Sequence, residues 1–120
     1  MDIQTVATLR PADQTAAWIP VLASDRLQPE QGRCVLLHGV QIAIFRVDEE
    51  LFALTNIDPF SGAPVLSRGI VGSSRGEPKV ASPMYKQSFA LRTGVCIDDP
   101  TVSVRTYAVR EHAGFVEVAV

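Results

Sequence analysis

The sequence predicts an all-β domain, and three observations carry that prediction. Short runs of β-branched and apolar residues recur along the chain, Gly-rich turns separate them at intervals of about 8–12 residues, and no apolar repeat at helical spacing persists beyond two turns. With 120 residues, 47 % apolar and 20 % charged, the chain can bury a real core without disulfide or metal staples, and its composition argues against disorder. The net charge of −2 argues against a nucleic-acid module, which needs a basic stripe to release phosphate counterions. The most apolar stretch, residues 34–45, is broken by His38, Gly39 and Gln41 and falls short of the ~20 residues that span a bilayer, so no membrane partner is expected. The opening Met1-Asp2-Ile3-Gln4 lacks the basic and apolar regions of a secretory signal. The expected compartment is the cytoplasm, where Cys34 and Cys96 stay reduced.

Residues 1–15 are mixed and polar and read as an N-terminal arm; residues 16–120 read as one domain. Residues 18–22 form a first strand, placed at an edge because Pro20 cannot donate to a ladder. Residues 23–31 hold a turn or short helix, with Ser24 or Asp25 as its cap. Two strands, 33–37 and 41–47, meet through His38-Gly39-Val40, and a turn at Asp48-Glu49-Glu50 leads into a strand at 51–55. Residues 56–76 are rich in Gly, Pro and Ser, broken only at Ile70-Val71, and read as a functional loop. A second loop, 82–87, lies between Val80-Ala81 and a strand at 88–91. A hairpin of 102–110 and 115–120, turning at His112-Ala113-Gly114, closes the fold.

Few residues point to chemistry. Cys34 and His38 are four apart in a predicted strand, which separates them by about 13 Å, too far to share an ion. Cys96 and His112 have no chelating spacing either, so no metal site is expected. There is no G-x-S-x-G elbow and no phosphate-binding G-x-x-x-x-G-K-[ST], and the acid pairs Glu49-Glu50 and Asp98-Asp99 read as solvated turn residues. No catalytic residue is expected in this chain.

The two Gly/Pro loops carry a resemblance. Asn56-Ile57-Asp58-Pro59-Phe60-Ser61-Gly62-Ala63 resembles the first cluster-binding loop of Rieske ferredoxins, where the pattern is Asn, any residue, Cys-Pro-His, any residue, Gly-Ala. Ser82-Pro83-Met84-Tyr85, followed by Phe89-Ala90-Leu91 and Thr93-Gly94, resembles the second, which reads Cys-Pro, any residue, His, then Phe-x-Leu and Thr-Gly. The resemblance implies a Rieske-like antiparallel β-sandwich or barrel with a small subdomain built from these loops. Asp58 and Ser82 stand where that family has cysteines, and Phe60 and Tyr85 where it has histidines. A Rieske centre needs two thiolates and two imidazoles, so no cofactor is expected in this chain.

With Leu66-Ser67-Arg68-Gly69-Ile70-Val71-Gly72 and Thr93-Gly94-Val95-Cys96-Ile97-Asp98-Asp99-Pro100, these runs are similar to the small subunits of assimilatory NAD(P)H-dependent nitrite reductases. That resemblance implies a non-redox subunit supporting a large subunit that carries FAD, an iron–sulfur cluster and sirohaem and reduces nitrite to ammonia. A binding or scaffolding module for another oxidoreductase is the alternative. Phe60, Met84 and Tyr85 are expected to refill the space a cluster would occupy. The competing expectation places Phe60, Arg68, Met84, Tyr85 and Lys86 on the surface as a partner interface, because partners of Rieske carriers dock at the cluster end.

Overall fold

Ile42-Ala43-Ile44-Phe45 is an uninterrupted apolar run, and all four residues are fully buried. A strand apolar at every position must face a core on both sides, and this one does. The computed structural model describes residues 17–119, so the expected arm at 1–15 and the last residue, Val120, lie outside the described residues.

Nine strands occur among the described residues: β1 (Trp18–Ala23), β2 (Arg33–Leu37), β3 (Val40–Val47), β4 (Glu50–Thr55), β5 (Ile70–Ser74), β6 (Glu77–Ala81), β7 (Ser88–Ala90), β8 (Thr106–His112) and β9 (Phe115–Ala119). They make an antiparallel six-stranded sheet ordered β1-β9-β8-β4-β3-β2 and a three-stranded sheet ordered β5-β6-β7. The larger sheet curls until its edges, β1 and β2, touch, which gives it a near-barrel form. Ile42 and Ile44 face the inside of that curl, with Leu27, Leu37, Ala53, Val116 and Val118. Ala43 and Phe45 face the opposite way and pack with Phe52, Leu54, Leu66, Val80, Phe89 and Leu91, the core that seats the small sheet on the large one.

The all-β architecture expected from the turn spacing is present, and β1 is an edge strand whose register shifts between Pro20 and Leu22. Four hairpins turn on two residues at positive φ: His38-Gly39, Asp48-Glu49, Arg75-Gly76 and Ala113-Gly114. Such turns match the right-handed strand twist. The bonded strands therefore begin directly at Val40 and Glu50, which the sequence places in turns.

Three expectations need correction. The turn or short helix expected after β1 is present as a 3-10 turn, Ser24–Arg26, but its N-cap is Ala23 rather than Ser24 or Asp25, and no side chain caps it. The loop expected over 56–76 ends at Gly69, because Ile70–Ser74 and Glu77–Ala81 pair as a hairpin. The last hairpin begins at Thr106 rather than residue 102, since Val104 is engaged by Gly94 through an N–H to carbonyl bond of 2.8 Å.

Gly94 needs to be glycine. Its φ is +79°, and a Cβ there would lie 2.2 Å from the Val104 carbonyl oxygen. Gly94→Ala is expected to lower stability by about 2–3 kcal/mol or more, from backbone strain and the clash together, as read by urea denaturation.

Arg92 links the sheets electrostatically. It holds Glu50 of β4 in two hydrogen bonds of 2.6 and 3.2 Å and Glu77 of β6 in one of 3.2 Å. The Arg92 hydrogen bonds and charge hold the Glu50 carboxyl below the usual carboxylate range, and Arg46 does the same for Glu111. A carboxyl whose folded pKa is depressed stabilises the fold above its unfolded value, near 4.3, and loses that contribution as pH falls through the folded value. The urea midpoint is therefore expected to hold down to about pH 5 and then fall, and to fall less steeply in Glu50→Gln/Glu111→Gln; both carboxylates are solvent-exposed, so the change is small.

Candidate functional site

The two loops that carry the sequence resemblance meet at one end of the small sheet, and they are built alike. In the first, the Asp58 N–H donates to Ala63 O (2.9 Å), the Asp58 carbonyl accepts from Gly62 N (2.7 Å), and Asp58 Oδ1 accepts from Phe60 N (2.8 Å). In the second, Ser82 N–H donates to Gln87 O (2.9 Å), the Ser82 carbonyl accepts from Lys86 N (3.0 Å), and Ser82 Oγ accepts from Met84 N (3.2 Å). Each residue thus bonds two, four and five positions ahead. The fourth position takes a positive φ in both loops, at Gly62 (+76°) and Lys86 (+66°). Glycine reaches that region freely; lysine does so at a cost of about 1 kcal/mol.

Asp58 and Ser82 are 0 % and 1 % exposed, and the Ser82 hydroxyl donates to Asp58 Oδ2 across 2.5 Å. Both Asp58 oxygens accept, and the Ser82 oxygen both donates and accepts, so this buried polar pair is satisfied. Asn56 anchors the base of the first loop: its amide nitrogen donates to Gln41 Oε1 (3.2 Å) and Pro64 O (3.0 Å), and its Oδ1 accepts from Ser67 N (2.7 Å). Asp98 is exposed in a bend, as expected of a solvated turn acid, and it also accepts from Ser88 N at 2.7 Å, which holds the strand that leaves the second loop; Asp99 accepts from Thr101 N.

Phe60, Met84 and Tyr85 do not refill the interior. They are 36 %, 48 % and 60 % exposed, because the Asp58–Ser82 bond already closes the gap between the loops and Phe89 packs beneath it. Phe60 lies over Phe89 with ring centroids 6.2 Å apart and leaves its outer side to solvent. Pro59, Pro83, Arg68 and Lys86 are also exposed. The tip is an apolar patch with basic residues beside it.

The residues at the four ligand positions do not fit a [2Fe–2S] centre. Phe60 has no donor atom, Tyr85 offers a hard phenol oxygen, and the Asp58 and Ser82 oxygens are committed to each other and to loop N–H groups. The cysteines do not substitute for them. Cys96 is buried in the core, and Cys34 lies on β2 with its sulfur 3.5 Å from the Asn56 amide and 3.5 Å from Gln41 Oε1. Partial burial pushes the Cys34 thiol up, away from the thiolate that a metal needs. No cluster of three or more His, Cys, Asp or Glu side chains suited to a metal occurs among the described residues.

Sequence reasoning missed the role of Asn56 and the direct bond between Asp58 and Ser82. The repeated Pro one residue after each, at Pro59 and Pro83, is the signal that marks the two loops as equivalent.

This arrangement, two equivalent loops mounted on a small antiparallel sheet beside a curled larger one, defines a Rieske-type domain. The chain belongs to the Rieske-like [2Fe–2S] domain family, whose model matches residues 17–119. It is 43 % identical over 103 residues to the nitrite reductase (NADH) small subunit of Escherichia coli K12, covering 84 % of this chain and 95 % of that one. The NMR structure of the E. coli protein NirD superposes with a TM-score of 0.82 at 41 % identity, over 88 % of this chain and 98 % of that one. A nitrite reductase [NAD(P)H] large subunit from Klebsiella oxytoca contains a segment 39 % identical over 108 residues, which is 90 % of this chain but only 11 % of that protein. No helix among the described residues is long and apolar enough to cross a membrane.

Removing the Ser82 hydroxyl strands a buried acceptor on Asp58 and a donor at Met84. Ser82→Ala is expected to cost about 2–4 kcal/mol, and a double-mutant cycle with Asp58→Ala should return a coupling of about 1.5–3 kcal/mol. Phe60→Ala should cost only about 1–2 kcal/mol, below the ~3–5 of a buried ring, because a third of its surface is already open. Urea denaturation of the three variants checks all of these values.

Proposed function

We propose that this chain is the small subunit of a cytoplasmic NAD(P)H-dependent nitrite reductase of nitrate assimilation, working without a cluster of its own beside a large subunit that carries FAD, an iron–sulfur cluster and sirohaem. The observation that carries this reading is the identity with a nitrite reductase small subunit over 95 % of that relative's length. Support for a non-redox role comes from the donor set: the four positions that hold a cluster elsewhere in the family offer one buried hydrogen-bonded pair and two aromatic rings. The tip is then a docking surface. Phe60, Met84 and Tyr85 are apolar types enriched at interface cores, and Arg68 and Lys86 beside them speed encounter with an acidic rim more than they add affinity.

The strained backbone at Lys86 fits that role, since a residue kept at positive φ displays its side chain at some expense of stability. Lys86→Gly is expected to raise stability by about 0.5–1 kcal/mol while slowing association with the large subunit; thermal unfolding and stopped-flow binding separate the two effects. Tyr85→Ala should weaken binding about tenfold or more at unchanged fold. The direct test is nitrite-dependent NAD(P)H oxidation by the large subunit with and without this chain, together with size exclusion of the mixture. Co-elution with a gain in turnover is the expected result, and absence of both would remove the reading. Anaerobically purified chain should show no visible absorption band from iron–sulfur charge transfer.

A further inference from the structure

Pairing in the β5–β6 hairpin determines which backbone groups of β5 face outward. A two-residue turn closes on a bonded pair, here Ser74 with Glu77, and alternation makes Gly72–Lys79 and Ile70–Ala81 the next bonded pairs. Val71 and Ser73 therefore turn their N–H and C=O groups away from β6. Pro78 agrees with this register. It lies opposite Ser73 at a non-bonded position, where a missing N–H costs β5 nothing, and its carbonyl accepts from Leu91 N on the other side at 3.0 Å.

β5 is the outer strand of the small sheet, and its outward groups have no backbone partner among the described residues. The other edges are less open. β1 and β2 approach each other, and β7 is flanked by a bridge between Phe89 and Cys96. Folded proteins normally blunt an open edge with charge, proline or a bulge. The β5 residues, Ile70-Val71-Gly72-Ser73-Ser74, supply none of these, and Ile70 is 76 % exposed. This edge adjoins the loop tip, because Ile70 pairs with Ala81 beside Ser82 and follows Arg68 by two residues.

The flanks of β5 are basic although the whole chain is not. Residues 56–99 carry Arg68, Arg75, Lys79, Lys86 and Arg92 against Asp58, Glu77, Asp98 and Asp99, in a chain of net charge −2, and Asp98 and Asp99 bond Ser88 N and Thr101 N rather than any residue of β5. Arg92 is paired with Glu50 and Glu77, whereas Arg68, Arg75, Lys79 and Lys86 make no ion pair among the described residues. Arg68 and Arg75 bracket the strand.

We propose that β5 is a strand-addition site for an extended segment of the nitrite reductase large subunit that carries acidic side chains at both ends. The inference rests on the small-subunit reading and specifies the contact it requires. Continuity with the tip points to the same partner, and the Klebsiella relative holds this module within a large-subunit chain. A second copy of this chain is the poorer occupant. An antiparallel copy centred on Gly72 would bring the Arg68 end of one molecule against the Arg75 end of the other, which like charges oppose.

Hydrogen exchange on the purified complex of the two subunits tests this. The Val71 and Ser73 amides should become at least tenfold more protected on complex formation. Ser73→Pro removes an outward N–H without breaking a β5–β6 bond, and should raise the dissociation constant at least tenfold with little change in thermal midpoint. Arg68→Glu/Arg75→Glu, on exposed positions, should weaken binding and flatten its dependence on salt. A complex that forms with no new protection at Val71 and Ser73 overturns the strand addition and leaves the small-subunit reading standing. Failure of the wild-type chains to associate overturns both. Protection that instead appears in the isolated chain as its concentration rises identifies a second copy as the occupant and also overturns the proposal.

Discussion

A hydroxyl and a carboxyl group, buried 2.5 Å apart, hold the two loops of the small subdomain together. Each loop is internally braced by the same set of backbone bonds, but nothing in that bracing fixes one loop against the other. The Ser82–Asp58 bond does so from inside, where low dielectric strengthens a satisfied hydrogen bond and penalises a broken one. Everything exposed at the tip is displayed by that arrangement. Phe60, Met84 and Tyr85 can face solvent because the interior beneath them is already closed.

The division of labour extends through the domain. The core inside the curled sheet is formed by residues of that sheet and Leu27, and it gains nothing from the loops. The second core, on the other face of β3 and β4, is where Leu66, Val80 and Phe89 attach the small subdomain. One strand pair therefore serves both cores, which explains why the Ile42–Phe45 run of β3 is apolar without alternation. Variation at the tip acts on the second core alone.

Much of this was legible in the sequence, for identifiable reasons. Hairpins at His38-Gly39 and Ala113-Gly114 announce themselves because glycine sits where the turn needs positive φ, and β1 reads as an edge because of Pro20. The β5–β6 hairpin did not, since Gly72, Ser73, Ser74 and Pro78 mimic loop composition; a strand half-exposed on a small sheet needs few apolar residues. The candidate site was legible by position but not by role. Its loops follow a known pattern, yet the bond between residues 24 apart depends on how the loops converge, and local sequence does not encode that. Aromatic residues at former ligand positions suggest filling, whereas small polar side chains do it and leave the rings outside.

The first and last strands lie side by side, with Trp18 opposite Ala119 in the β1–β9 ladder. Paired antiparallel residues have Cα atoms only about 5 Å apart, so the chain enters and leaves the domain at almost the same point. A fold with adjoining ends can be set into a longer polypeptide without being stretched or opened. That geometry accounts for a module of this kind existing both as a free-standing chain, as in E. coli, and as a segment of a much larger one, as in Klebsiella oxytoca. It has a folding consequence too. The β1–β9 pairing joins residues almost a hundred positions apart, so the large sheet cannot be completed until nearly the whole domain has left the ribosome, and the local hairpins have time to set their registers first.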